Sequence, residues 1–306
     1  MFHVKQLKVQ VEYLENCPLC QTQRFEKVLT GNDYLTFFGE FSIVRCQECS
    51  LQFTNPRPDH LSITMCYPGS NYPSHNKSPE SILDKAYYFV RQITLRRKLA
   101  LVKSLVKRGA YLLDVGSGVG SFAKFMTKNG FHVSTVEPSP SARESIKEKE
   151  IRVFEDVASY SNAGVEVPDI ITLWHVLEHQ HNYLESLYQY NGLLEKNGFL
   201  IVAVPQFGSF DARYYKSNWA AYDLPRHLFH FSKQTLLASA QAAGFTLLKI
   251  KGMPFDSFYV SLLSEQISKN KFCPFRAPFI AIISNLLAFS KITPWSSQIF
   301  VFKKQA

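Results

Sequence analysis

The sequence predicts an α/β protein, a doubly wound and mostly parallel sheet preceded by a small N-terminal module. Three observations carry that expectation. Between residues 111 and 251, short apolar runs alternate with amphipathic stretches, the pattern of parallel strands joined by crossover helices. A glycine-rich turn follows the first of those runs, and two Cys-x-x-Cys pairs stand well ahead of it. The chain of 306 residues is long enough for one sizeable α/β domain and something smaller. Its hydrophobic content of 46% builds a core, which excludes global disorder.

The first seventy or so residues read as a separate unit, with β-like runs at 41–45 and 51–54 and the turn Asn55-Pro56-Arg57-Pro58. A Pro-, Ser-, Asn- and Gly-rich stretch at 67–79 reads as a connecting loop. A long helix is expected over 81–107. Its Arg91, Arg96, Arg97, Lys98, Lys103 and Lys107 alternate with Ile93, Leu95, Leu99, Leu101 and Leu105, the solvated face of an amphipathic helix. Strands are expected at 111–115, 131–136, 151–154, 169–173, 199–204 and 245–251, and helices at 121–129, 141–150, 183–194 and 233–243. Gly130, Asn197-Gly198, Pro205 and Gly244 punctuate them. The longest apolar run, 277–289, is interrupted by Ser284 and Asn285 and is too short to span a bilayer. No apolar leader region is visible at the N-terminus, so a cytoplasmic protein is expected.

Cys17-Pro18-Leu19-Cys20 and Cys46-Gln47-Glu48-Cys49 point to a metal rather than to disulfides. Four thiolates satisfy a tetrahedral zinc ion, and Cys-x-x-Cys lets two of them converge from one tight turn. The separation between the pairs is longer than in the commonest zinc ribbons, and an inserted hairpin accommodates it. Four sulfurs leave no open coordination position, so zinc at Cys17, Cys20, Cys46 and Cys49 would be structural. Cys66 and Cys273 have no partner at ligand spacing and read as apolar fillers.

Leu112-Leu113-Asp114-Val115-Gly116-Ser117-Gly118-Val119-Gly120 joins the first core strand to its helix, and Glu137 closes the next strand. Glycines permit a sharp turn and close backbone approach to a ligand, and an acid at the next strand end can accept from ribose hydroxyls. Dinucleotide enzymes use G-x-G-x-x-G; here the spacing is G-x-G-x-G after an aspartate. Over residues 110 to 250 this resembles the class I S-adenosylmethionine (SAM)-dependent methyltransferases. The resemblance implies a Rossmann-like sheet of seven strands with SAM as cofactor. It assigns the methionine part of SAM to Asp114, Gly116, Ser117, Gly118 and Gly120, the ribose to Glu137 and the adenine to Asp156 with Val157. It sets Trp174 and His175, after the fourth strand, beside the cofactor. The cysteine module, the basic helix and Leu224-Pro225-Arg226-His227-Leu228-Phe229-His230 sharpen the match to a zinc-ribbon-bearing bacterial subgroup. Its relatives include C-methyltransferases of nucleotide-linked deoxysugars. Those carry a further large C-terminal domain where this chain has about fifty residues, so their substrate is not carried over directly. The domain division is then 1–75 zinc-ribbon module, 76–110 linker helix, 111–252 SAM-binding domain and 253–306 a C-terminal segment packing on it. Residues 298–302 are expected to add an antiparallel edge strand beside 245–251. The helix near Phe279 would lie across the acceptor mouth, with Phe258 and Tyr259 in the pocket wall.

Methyl transfer from a sulfonium is an in-line displacement, and a hydroxyl or acidic carbon acceptor also needs a base. The candidates are His179, His227 and Tyr222, with Glu178, His181 and His230 close in sequence or pattern. Any one of these histidines could instead cap a helix or satisfy a buried carbonyl. Glu178-His179 with His227 also resembles the metal site of small-RNA 2′-O-methyltransferases, with His175 where the first glutamate would stand. The net charge of +9 suits nucleic acid, an anionic membrane surface, an acidic substrate or plain solubility. The leading expectation is a small-molecule or glycan-precursor acceptor such as a nucleotide-linked sugar. An RNA methyltransferase gripping phosphates through the module and the basic helix, with Phe37, Phe38 and Phe41 for base stacking, is the alternative. A SAM-binding scaffold without catalysis is a third reading, against which the full cofactor motif argues.

Overall fold

The side chains of each core strand alternate between two helix-covered faces, and that alternation organises the chain. A computed structural model describes residues 9–67, 82–270 and 273–305. The connecting loop expected at 67–79 lies outside them apart from Tyr67, as does the side chain of Cys273.

The N-terminal part contains β1 (Val11–Glu12), β2 (Phe25–Asn32), β3 (Glu40–Cys46), β4 (Gln52–Thr54) and β5 (Arg57–Pro58). β2 and β3 form the hairpin that the long spacing between cysteine pairs requires. Next come α1 (Ile82–Lys103), β6 (Tyr111–Val115), α2 (Ser121–Lys128), β7 (His132–Val136), α3 (Pro140–Arg143), β8 (Ile151–Phe154) and α4 (Val157–Asn162). They are followed by β9 (Ile170–Trp174), α5 (Tyr183–Leu193), β10 (Phe199–Pro205), α6 (Phe210–Tyr215), β11 (Phe229–His230) and α7 (Lys233–Ala242). The chain closes with β12 (Phe245–Gly252), α8 (Asp256–Ile267), α9 (Cys273–Phe289) and β13 (Ser297–Lys304).

Seven strands form the Rossmann-like sheet, in the order β12-β13-β10-β9-β6-β7-β8. All but β13 run parallel to one another, and β13 is antiparallel to both its neighbours. Consecutive residues serve opposite faces. Leu112, Ile170, Ile201 and Val301 meet α1 and α2 through Leu101, Val102, Phe122 and Met126. Leu113, Ile171, Val202 and Phe302 meet α5 and α7 through Tyr183, Leu187, Tyr190 and Leu236.

Two expectations are corrected and one helix is added. The antiparallel strand lies inside the sheet, between β10 and β12, and β12 takes the edge. The helix at 141–150 ends at Arg143: the run from Glu144 to Glu150 offers only Ile146 as a bulky apolar group to bury, so packing does not support further turns. A helix absent from the sequence reading, α4, starts at Asp156, whose carboxylate accepts from the Ser159 N–H at 2.7 Å in a capping box.

The N-terminal sheet is completed from elsewhere in the chain. β11 pairs antiparallel with β4, giving the order β11-β4-β3-β2, and Cys17, Leu51 and Phe53 share one continuous core with the α5 and α7 face of the large sheet.

β13 bonds along its length to β10 and β12, and its Phe300 and Phe302 are fully buried. Truncation at residue 252 is therefore expected to unfold the protein by circular dichroism. Phe302→Ala should lower the unfolding free energy in urea by about 3–5 kcal/mol. A truncated chain that keeps cooperative unfolding would show β13 to be dispensable.

Candidate active site

The loop after β6 turns on three glycines with positive φ: Gly116 at 68°, Gly118 at 55° and Gly120 at 75°. The Gly116 and Ser117 N–H groups donate to Val136 O at 2.7 and 3.3 Å, which pins the loop to β7. A Cβ on Gly116 would meet Val176 Cγ2 at 2.5 Å, and one on Gly120 would meet Ile146 Cγ1 at 2.7 Å. Gly118 faces open space, so nothing blocks close approach of a ligand to its backbone.

Around this loop stand the acids. Glu137 is 8% exposed; Gly118 N–H donates to Oε2 at 2.7 Å and Ser139 N–H to Oε1 at 2.9 Å. Asp114 is buried and accepts from Thr172 Oγ1 at 2.7 Å. Burial pushes its carboxyl up to about 7, against the pull of Thr172 and Lys98. Lys98 of α1 lies 3.9 Å from the Trp174 ring centroid, and burial lowers its amine to about 8 while Asp114 and Asp256 oppose the shift. Ser117 Oγ and Trp174 Nε1 are buried with no hydrogen-bond partner. Two orphaned polar atoms beside an open glycine backbone fit a polar ligand such as SAM.

Beyond β9 the backbone turns at His175, whose φ is 58°. Its Nδ1 lies 3.3 Å from Glu178 Oε1 and its Nε2 3.2 Å from Asp256 Oδ2 at the start of α8. Burial acts against protonation, but the two carboxylates raise the imidazole to about 9, so it is cationic at neutral pH. Glu178 is 1% exposed and keeps Oε2 without a partner. Although burial pushes the other way, the hydrogen bond from His175 holds Glu178 below the usual carboxylate range.

His179 and His227 meet edge to face with ring centroids 4.6 Å apart. His179 Nδ1 is 3.0 Å from Arg226 O and 3.1 Å from the Tyr67 hydroxyl; His227 Nδ1 is 2.9 Å from Ala221 O. A carbonyl only accepts, so in each neutral ring Nδ1 carries the proton and Nε2 keeps its lone pair. Burial and the neighbouring His179 lower His227 to about 4, so it is neutral at pH 7. One ligand atom each from Glu178, His179 and His227 lie within 4.8 Å of one another, as a metal ion would require. His230 instead bonds Thr54 Oγ1 at 3.2 Å, and His181 Nε2 bonds Pro58 O at 3.0 Å. Tyr222 packs edge-on against Trp219 and His230, and burial pushes its phenol up to about 12, so it keeps its proton.

In the N-terminal part the Cys17 and Cys49 sulfurs are 3.5 Å apart, as are those of Cys20 and Cys46, and all four lie within 4.8 Å. Zn–S bonds of about 2.3 Å in a tetrahedron would set sulfurs about 3.8 Å apart, so the donor set fits zinc. Cys66 lies apart from this group, fully buried.

A family profile described as a methyltransferase domain matches residues 86–250, more than half of the chain. The chain belongs to this methyltransferase family. No curated protein matches it by sequence. Among solved structures, a mycolic acid cyclopropane synthase complexed with SAH aligns at a TM-score of 0.50 and 14% identity, covering 76% of this chain and 91% of that one. A coclaurine N-methyltransferase bound to N-methylheliamine and SAH aligns at 0.49 and 16%, covering 75% and 76%. A SAM-dependent methyltransferase from Mesorhizobium loti aligns at 0.45 and 13%, covering 67% and 96%. The first of these carries the shared fold. The protein is a SAM-dependent methyltransferase with a methyl acceptor to be identified. Among its described residues no helix is long and apolar enough to cross a membrane.

Asp114 with the glycine loop, Glu137, and the run from Trp174 to His179 stand at the C-terminal ends of β6, β7 and β9, where open α/β sheets bind ligands, whereas Tyr222 and His227 come from the loop before β11. Asp156 and Val157 instead start α4, with the Asp156 carboxylate capping it. The sequence reading missed Lys98, Asp256 and Tyr67. Lys98 was legible in principle, since it lies three residues from buried Leu95 and four from buried Val102, on the inward phase of α1. Asp256 and Tyr67 reach the site only through tertiary contacts.

The loop geometry separates two substitutions. Gly118→Ala should cost about 1–2 kcal/mol for its left-handed φ alone. Gly116→Ala should add about 1–3 kcal/mol for displacing Val176. Urea unfolding of both variants checks this; equal losses would mean that Val176 yields freely.

Proposed function

We propose that this methyltransferase methylates a hydroxyl or an acidic carbon of a small acceptor, a glycan precursor such as a nucleotide-linked sugar. The observation that carries the proposal is the cluster of Glu178, His179 and His227, with the His179 Nε2 lone pair and one Glu178 carboxylate oxygen uncommitted among the described residues and His227 Nε2 4.0 Å from Asp223 Oδ2. Cofactor binding is assigned to Asp114, Gly116, Ser117, Gly118, Gly120, Glu137, Trp174 and His175, with Asp156 and Val157 at the adenine end. SAM supplies an electrophilic methyl group on a sulfonium. His179 would take the acceptor's proton on Nε2, which frees the acceptor's electron pair for the methyl group as SAH leaves. His227 orients the acceptor, Glu178 stabilises the imidazolium that results, and Tyr222 walls the site.

One observation favours a small acceptor over RNA: Lys98 of the basic helix turns inward onto Trp174 rather than outward to phosphates. The candidate stacking aromatics do not decide it, since Phe41 is 6% exposed and Phe37 is 80% exposed. The zinc-ribbon reading of residues 1–75 rests on the four-sulfur cluster, and the sugar-nucleotide acceptor rests on resemblance to the subgroup that bears such a module.

Zinc is expected at one equivalent per chain, with the N-terminal sheet melting when a strong chelator removes it. Elemental analysis finding no zinc, with four freely titrating thiols, would remove the module from this reading.

Glu137→Ala should weaken SAH binding by calorimetry by about 1.5–3 kcal/mol, the range for hydrogen bonds to a charged acceptor. His179→Ala and His227→Ala should keep SAH affinity and lower turnover by about 10²–10⁴-fold. With methyl-labelled SAM, label is expected in a pool of nucleotide-linked sugars. Label entering total RNA instead would overturn the acceptor class. Activity lost on chelation with the four-cysteine zinc still in place, and restored by a divalent cation, would give His179 and His227 the role of ligands rather than of base.

A further inference from the structure

The C-terminal helices carry a surface that the methyl-transfer site does not use. α9 packs on α8 and α6 through Ala277, Ile280, Ala281, Ser284 and Ala288, all buried. Its other face is open. Phe275, Phe279, Ile282, Leu286 and Phe289 are 81, 62, 48, 62 and 80% exposed. They recur at intervals of four and three residues, which makes one stripe along the helix. Phe279 therefore points away from the protein and does not roof an acceptor pocket. Ile292 extends the stripe past the helix end at 67% exposed, and Phe258 and Tyr259 of neighbouring α8 are 38 and 41% exposed. Such a concentration of large apolar groups marks an interaction site.

The charge on this layer is of one sign. After Glu265 the sequence has no Asp or Glu, and it has six Lys and Arg. The carboxylates of the layer all turn inward. Asp211 and Glu265 are 0 and 1% exposed: Asp211 accepts from Trp219, Ser284 and Ser296, and Glu265 from Tyr215 and Asn270 and pairs with Arg276 at 3.3 Å. Asp256 holds His175. Arg213, Lys269 and Lys291 are exposed, as is Arg276, which is paired with Glu265.

We infer that α9 docks the enzyme on an anionic membrane, lying in the plane of the headgroups with its phenylalanines in the acyl boundary. A stripe of aromatic and aliphatic groups bordered only by cations is the composition of an interfacial helix, and the helix has 17 residues, too few to cross. A second copy of the chain fits less well. Helix pairs of this spacing are flanked by opposite charges, and this layer offers cations alone.

The test is co-sedimentation of the full chain with vesicles of equimolar phosphatidylglycerol and phosphatidylcholine, and with phosphatidylcholine alone. Binding is expected to the anionic vesicles only and to weaken with salt. The double variant Phe279→Ser, Leu286→Ser and the double variant Lys269→Glu, Lys291→Glu should each lower the vesicle partition by about tenfold or more. All four positions are exposed, so circular dichroism and SAH affinity should be unchanged, which separates this test from that of the acceptor. Failure to bind anionic vesicles, or binding that ignores lipid charge, would overturn the inference. So would a dimer, detected by analytical ultracentrifugation, that Phe279→Ser, Leu286→Ser converts to monomer without affecting vesicle binding.

Discussion

The guanidinium of Arg226 ties together the parts of the molecule that make the acceptor side of the site. It is 1% exposed and bonds Asp223 at 2.7 and 2.9 Å, Asp33 at 3.0 Å, and the carbonyls of Cys66 and Leu224 at 3.0 and 3.1 Å. Asp33 and Cys66 belong to the N-terminal part, Asp223 and Leu224 to the loop before β11. A charge so deeply buried is tolerable only with all its partners in place, and losing one strands the others. Although burial pushes Asp33 up, Thr36 and Arg226 hold it below the usual carboxylate range. The carbonyl of the same arginine accepts from His179. The ion pairs that dock the N-terminal part thus also fix the tautomer of the candidate base.

The site divides into two electrostatic regions joined by His175. On one side, Asp114 and Glu137 line the glycine loop with Lys98 as countercharge. Beyond it, Glu178 faces two imidazoles whose Nδ1 atoms are fixed against backbone carbonyls. His175, cationic between Glu178 and Asp256, ties β9 to the C-terminal helices. That link makes α8 part of the site's framework even though its outer neighbour α9 faces away from it.

Much of this was legible because it is local. The glycine spacing fixes a turn whatever surrounds it, and each Cys-x-x-Cys brings two sulfurs together within a few residues. Strand positions followed from apolar runs, since a parallel strand buried on both faces has no polar alternation to confuse it. Lys98 misled because a lysine in a basic helix reads as solvated, and its helical phase was the only contrary sign. The stretch at 141–150 misled because helix propensity without an apolar face to bury does not sustain a helix.

The sequence by itself determined the class of fold, the cofactor loop, the four-cysteine set and the histidines to watch. Only the tertiary structure decided which histidines meet, that Tyr67 and Asp256 join them, that β13 enters the sheet between β10 and β12, and that α9 keeps its phenylalanines outside. The physical reason is separation along the chain. His179 and His227 lie 48 residues apart by their numbers, and Asp33 and Arg226 are separated by 193. Contacts of that range are set by how whole layers pack, and no spacing rule records them.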